Sequence, residues 1–390
     1  MQDISNSERT AAVQSPIIPT ISAWQKQHPS TISLGQGVAY YGPPEQAYQY
    51  LQSSLGERRC DLYGPVEGLP ELQQVLINKL RTRNNVTVSQ QQALFVTAGS
   101  NMAFSSLMLA ITDPGDEIIL LTPYYFNHEM AIRLANARPV LVPTLSDFHP
   151  DLDALRQAIT KRTRAIVTVS PNNPTGAVYT KDELVAINQL CHEYGIFHIS
   201  DEAYEDFVYD HHQHYSIAQQ QDNQTHTISL FSLSKAYGFA GWRVGYMLIP
   251  QHLSASMKKV QDTVLISPPV VSQLAAVGAH NAPYEFIQDK LISINQAREF
   301  CLSKLNQSDL LAKNASAEGA FYIFAQLKAS SNDLQLAHDL IQHHAVATIP
   351  GSAFAAPEGT YLRISYGALT AATVEQGISQ LIAGLHALGS

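Results

Sequence analysis

An α/β fold, with a mostly parallel seven-stranded sheet between helices and a smaller α+β domain beside it, is what this 390-residue sequence predicts. Three observations carry that expectation. Between residues 90 and 250, short aliphatic runs alternate with longer stretches of helical periodicity, the pattern of βαβ units and parallel pairing. Several runs are apolar without interruption, as strands buried on both faces are. The chain is also longer than the roughly 100–200 residues of one domain, and residues 321–388 change to a mixture of strands and helices.

Taken in order, residues 1–30 are interrupted by Pro16, Pro19 and Pro29 and read as an irregular arm. An apolar stretch at 31–34 runs into Gly35-Gln36-Gly37 and Gly42-Pro43-Pro44. Strands are expected at 93–97, 117–121, 139–142, 165–169, 196–200, 227–231 and 244–249. Helices are expected at 102–111, 127–135, 152–160 and 181–194, the first ended by the turn Asp113-Pro114-Gly115-Asp116. Only residues 232–243 separate the last two strands, and Gly238 and Gly241 interrupt them. That leaves little room for a crossover helix, so the last strand is expected to run antiparallel. One long helix over 283–306 connects to a C-terminal part in which 321–326, 334–343, 361–365 and 374–388 mix strands and helices, as a small α+β domain does. The expected organisation is an arm and part of the small domain in 1–44, a large domain in 45–285 and a small domain in 286–390. Residues 89–92 and 219–221 read as exposed polar loops.

Composition excludes several function classes. Hydrophobic residues make up 45 % of the chain, which rules out disorder as its main state. The balance of 24 Lys+Arg against 33 Asp+Glu gives −9 and argues against a nucleic-acid or membrane-surface partner. No apolar run reaches the roughly 18 residues of a membrane span, and the polar start lacks a signal-peptide pattern. Cys60, Cys191 and Cys301 lie far apart without C-x-x-C spacing, which reads as reduced thiols and a cytoplasmic location. No metal-ligand spacing occurs, and His211-His212-Gln213-His214 reads as a solvated loop.

The chemistry is concentrated after the strands. Ser232-Leu233-Ser234-Lys235 and Arg243 follow strand 227–231. Lysine forms Schiff bases with carbonyl compounds, and burial or a cationic neighbour lowers its pKa for that task. The serines and arginine suit a phosphate. Asp201 and Tyr204 follow strand 196–200, at the carboxyl end where open α/β sheets bind ligands. A carboxylate buried there needs a cationic partner, which a protonated pyridine nitrogen supplies. Its plainer reading is a helix cap. Ser170-Pro171-Asn172-Asn173-Pro174-Thr175-Gly176 is a rigid turn that brings an asparagine pair to another strand end. Ala98-Gly99-Ser100-Asn101 opens a helix whose free N–H groups suit an anion.

Together these segments resemble the class I/II aminotransferases, fold-type I pyridoxal-phosphate-dependent enzymes of the aspartate aminotransferase superfamily, from Leu34 to Arg363. The resemblance implies that Lys235 carries pyridoxal 5′-phosphate as a Schiff base and that Asp201 pairs with the pyridinium nitrogen. It implies that Asn173 and Tyr204 bond the 3′ oxygen, and that Ser100, Asn101, Ser232, Ser234 and Arg243 surround the phosphate. Tyr125 would stack on the ring, and His128 would support Asp201. Tyr63 would reach the phosphate across a homodimer interface. Gly37 and Arg363 would hold the substrate carboxylate. An arginine in an apolar strand itself calls for an anion. The implied activity is transfer of an amino group from an L-amino acid to a 2-oxo acid by a ping-pong mechanism. The Gly35-Gln36-Gly37-Val38-Ala39-Tyr40-Tyr41 segment lacks the family's usual proline. Tyr40 and Tyr41 would wall the side-chain pocket, and Asn101 stands where one aspartate-specific branch has lysine. These departures favour neutral or aromatic amino acids. Aspartate-type transamination and carbon–sulfur β-elimination remain alternatives on this scaffold, and a non-catalytic cofactor-sensing regulator is the reading from another class.

Overall fold

The computed structural model describes residues 6–220, 222, 224–329 and 332–389. Its main sheet is built from β2 (Gln92–Thr97), β3 (Glu117–Thr122), β4 (Arg138–Pro143), β5 (Thr163–Val169), β6 (Phe197–Asp201), β7 (Thr227–Ser232) and β8 (Gly245–Pro250). A short β1 (Ile32–Ser33) precedes them, and β9 (Tyr322–Leu327), β10 (Val346–Ala347), β11 (Ile349–Pro350) and β12 (Thr360–Ser365) follow. The seven strands lie in the order β2-β8-β7-β6-β5-β3-β4. All seven expected strands are present. β8 runs antiparallel to β2 and β7, and every other pairing is parallel. Residues 233–244 fold as a compact loop around the short turn Ala240–Trp242, so the chain never crosses the sheet between β7 and β8.

This topology positions the site. β2, β3, β5, β6 and β7 point the same way, so the loops after Thr97, Thr122, Val169, Asp201 and Ser232 meet along one edge. That edge is where an open α/β sheet leaves a crevice. The helices behind it are amphipathic in the ordinary way. In Lys181–Tyr194, Leu184, Ile187, Leu190 and Cys191 form the buried stripe. Thr180 and Glu183 make a reciprocal capping box at its start, and Gly195 ends it in the left-handed conformation at φ 66°.

β9, β11 and β12 form a separate antiparallel sheet in the order β11-β12-β9. β1 pairs in parallel with β10, Ile32 opposite Val346, so residues from both ends of the chain build one layer. The long helix Glu285–Gln307 packs against Ala371–Ala387.

Two expectations need correction. Residues 6–30 are not an irregular arm: Glu8–Ala11 and Ile17–Gln27 are helical; residues 1–5 lie outside the described residues. Pro16 caps the second helix and Pro19 sits in its first turn, where a missing N–H costs nothing. Ile21 is buried and Trp24 meets His338 edge-on at 4.8 Å, which fixes the segment to the body. Residues 89–92 are not wholly an exposed loop, since Gln92 is buried at the start of β2. Gln221 lies outside the described residues. No helix among the described residues is long and apolar enough to cross a membrane.

Candidate active site

The loops at the carboxyl edge enclose a cavity of about 220 Å³. Ser100, Asn101, Tyr125, Asn173, Asp201, Tyr204, Ser232, Ser234, Lys235 and Arg243 all line it. Five separate strand ends contribute these side chains, which explains their dispersal along the sequence.

At one end lies Asp201, buried at the tip of β6. Its Oδ2 is 3.0 Å from Nε2 of His128, and its Oδ1 accepts the Ala203 N–H at 3.1 Å. His128 comes from the helix Phe126–Leu134 and stacks on Phe104 at 4.1 Å. The carboxylate is thus held by oriented donors while it still faces the cavity. At the other end, the helix Ser100–Ile111 opens immediately after Gly99. Arg243 donates through Nη1 to the Ala240 carbonyl at 2.8 Å and lies 3.5 Å from the Ser234 hydroxyl. Hydroxyls, helix-start N–H groups and a guanidinium make this an anion-binding end.

Lys235 lies between the two ends. Its Nζ donates to the Gly37 carbonyl at 2.5 Å and sits 5.4 Å from the Tyr204 ring centre. Burial, with the Arg363 guanidinium nearby, lowers its pKa to about 8. A neutral amine is therefore accessible close to neutral pH.

Arg363, on β12, is 2 % exposed. Its Nη1 donates to Asn173 Oδ1 at 2.9 Å and its Nη2 to the Gly35 carbonyl at 2.7 Å. The guanidinium lies between the rings of Tyr322 and Phe354, at 4.4 and 5.0 Å. Among the described residues no carboxylate pairs with it. A buried cation held only by neutral acceptors is a site for an anion.

Tyr63, expected to act across a subunit interface, lies outside this chain's own cavity and is 80 % exposed. Two expectations differ from what is seen. Tyr40 and Tyr41 do not line the cavity. The Tyr41 hydroxyl donates to the Ala236 carbonyl at 3.1 Å, and Val38 takes the lining position. His214 is not a solvated loop residue: it is largely buried, with Nε2 3.0 Å from Glu202 Oε2. Ligand atoms of Glu202, Glu205 and His214 lie within 4.8 Å of one another, but Lys79 ion-pairs with Glu205 and supplies a cation there. Sequence reasoning also passed over Tyr322. Its hydroxyl is 2.6 Å from that of Tyr204. An aromatic in an apolar strand reads as core, and only the antiparallel register, with Phe324 opposite Arg363, brings Tyr322 beside the arginine.

The residues fit pyridoxal phosphate. The buried acid at one end suits a pyridinium nitrogen, the anion-binding end suits the phosphate, and the lysine between suits an aldehyde.

Comparison with known proteins agrees with this geometry. The family model for aminotransferase class I and II matches residues 29–381. An aromatic aminotransferase of Arabidopsis thaliana is 34 % identical over 393 residues, covering 96 % of this chain and 97 % of the relative. An aspartate/prephenate aminotransferase of Thermus thermophilus is 33 % identical over 347 residues, with 88 % of each chain covered. The solved structure of Thermus thermophilus aspartate aminotransferase with maleate superposes with a TM-score of 0.90, at 30 % identity, over 98 % of this chain and 100 % of the other. The chain belongs to the class I and II aminotransferases, pyridoxal-phosphate-dependent enzymes of fold type I.

Proposed function

We propose that this aminotransferase moves the amino group of a neutral or aromatic L-amino acid to a 2-oxo acid, with Lys235 as its cofactor-bearing and proton-transferring residue. The observation that carries the reading is the buried Arg363, whose charge lacks an acidic partner among the described residues. An α-carboxylate meets its remaining capacity, so every amino acid is held by the group all share.

The positions of these side chains support the following roles. Bound pyridoxal phosphate supplies an aldehyde that takes up the amino group and a ring that draws electrons from the substrate's Cα. Asp201, oriented by His128 and the Ala203 N–H, would hold the positive charge of the ring nitrogen. Tyr204 and Asn173 would donate to the 3′ oxygen, and Tyr125 would lie against the ring. Ser100, Asn101, Ser232, Ser234 and Arg243 would hold the phosphate. The Lys235 amine would take the Cα proton as general base and return it as general acid, a task its pKa of about 8 suits. Release of one oxo acid before the second binds gives ping-pong kinetics.

Val38, Tyr125 and Tyr204 give the cavity apolar walls, and Asn101 offers no charge for a distal carboxylate. The Arabidopsis thaliana relative is named for aromatic substrates, whereas the Thermus thermophilus relative is named for aspartate and prephenate. A half-reaction panel decides between them. The purified protein is mixed with each amino acid, and loss of cofactor absorbance and the keto product are recorded. Turnover confined to aspartate overturns the preference. Pyruvate and ammonia released from a cysteine conjugate without an oxo acid would establish β-elimination instead.

The same reading makes the protein a cytoplasmic homodimer with shared sites. Exposed Tyr63, Leu62, Leu55, Val264 and Ile266 support a subunit contact, and the unpaired cysteines suit a reducing compartment. Its domains divide as 1–44 with 286–390 around a large domain of 45–285. Full activity in a sedimenting monomer would remove the role given to Tyr63.

A further inference from the structure

We propose that Tyr322 is a positioning residue that couples the substrate clamp to the phenol facing the cofactor, using its ring for the first and its hydroxyl for the second. The inference rests on the functional reading above and extends it to a side chain given no role there.

Tyr322 is fully buried at the start of β9. Three of the proposed functional groups touch it. The Arg363 guanidinium lies 4.4 Å from its ring centre, a cation–π contact that limits the arginine's orientation. Its hydroxyl is 2.6 Å from the Tyr204 hydroxyl. Gly37 packs so closely that a Cβ there would lie 2.7 Å from the same hydroxyl. A bulkier residue at 37 would displace Tyr322, and the Gly37 carbonyl on the same segment accepts from Lys235.

The direction of the Tyr322–Tyr204 hydrogen bond follows from the surroundings. Both phenols are buried, and burial raises both pKa values, that of Tyr322 to about 12. Arg363 stands over the Tyr322 ring and lowers the pKa of both phenols against that burial. Either hydroxyl can donate across this contact, but only Tyr204 faces an acceptor in the cavity, so both hydrogen bonds form when Tyr322 gives its proton to the Tyr204 oxygen. Tyr204 then keeps its own proton for an acceptor in the cavity, which it lines and Tyr322 does not. A donor that is itself hydrogen-bonded at its oxygen donates more strongly. Tyr322 therefore both aims Tyr204 and strengthens its bond to the 3′ oxygen.

The two parts of the side chain separate experimentally in the cofactor-loaded enzyme. Tyr322→Phe keeps the ring over Arg363 and removes the hydroxyl. It should leave KM for amino acids within about twofold and lower kcat. It should also raise the pH midpoint of the bound cofactor's absorbance change, because a weakened donor leaves more negative charge on the 3′ oxygen. Tyr322→Leu removes both parts and should raise KM for all amino acids as well. Circular dichroism and cofactor content check that each variant is folded and loaded. An unchanged midpoint and kcat in Tyr322→Phe overturn the hydroxyl's role, and an unchanged KM in Tyr322→Leu overturns the ring's. Either failure leaves the aminotransferase reading intact if the wild-type enzyme shows the pH-dependent band and turns over. A wild-type enzyme without that band overturns both.

Discussion

Replacing Gly99 by alanine tests the anion-binding end of the cavity without removing any proposed ligand. Gly99 stands at φ 84°, ψ 164°, a region nearly confined to glycine, where another residue costs about 1–3 kcal/mol. A Cβ built there lies 2.4 Å from Arg243 Nη2 and 3.0 Å from its Cζ. The obstacle is the end of a flexible side chain, so the guanidinium swings away while the fold survives. Arg243 then loses its bond to the Ala240 carbonyl at 2.8 Å and its longer one to the Ala98 carbonyl at 3.3 Å. Losing one charge-assisted bond to a phosphate costs about 1.5–3 kcal/mol, which weakens binding by about 10–150-fold. The assay is equilibrium titration of cofactor-free protein with pyridoxal phosphate, with a thermal melt to record the backbone strain separately. Arg243→Ala and the double variant complete a cycle. If Gly99→Ala acts by displacing Arg243, the two losses are not additive. Wild-type affinity in Gly99→Ala, or a full extra loss when it is added to Arg243→Ala, refutes the reasoning.

Arg363→Ala should raise KM about 100-fold or more for every amino acid alike, since two charge-assisted bonds of about 1.5–3 kcal/mol each are lost. Steady-state kinetics that show a loss for one side-chain class only would remove Arg363 from the α-carboxylate. Lys235 has a folded pKa of about 8, below its ordinary 10.5. Its burial therefore costs stability below pH 8, and the cost disappears as pH rises towards 10.5. Cofactor-free Lys235→Met should melt above the wild type at pH 7 and converge with it near pH 10, at the temperatures read by calorimetry. His149 lies between Glu183 and Glu318, whose hydrogen bonds raise its pKa from 6.5 to about 10. Its protonated form stabilises the fold fully below pH 6.5, and that contribution is lost as pH rises through about 10. With solvent screening of the partly exposed pairs reducing the linkage value, His149→Gln should cost on the order of 2 kcal/mol at pH 6 and far less above pH 10.5 in denaturant titrations; an equal cost at both pH values would contradict the charged pairing.

The local pattern of the chain was enough to determine the alternation of strands and helices, the antiparallel β8 and most of the lining residues. Each depends on nearby chemistry: aliphatic runs for buried strands, a connection at 232–243 too short for a crossover, and reactive side chains placed directly after strands. Helices such as Glu45–Ser54, Pro70–Arg83 and Val270–His280 went unread. Their buried faces make sense only against the partners they pack on; Val270–His280 lies along both of the others. The N-terminal helix Ile17–Gln27 was hidden by prolines that stop a helix in its interior but not at its start. Other features belong to the tertiary structure alone. Strand order brings five distant loops to one edge. β12 carries Arg363 across to Asn173, 190 positions away in the chain, and β9 places Tyr322 beneath it and against Tyr204. Hydrogen-bond register between distant strands decides such contacts, and a one-residue slip would turn those side chains to the opposite face.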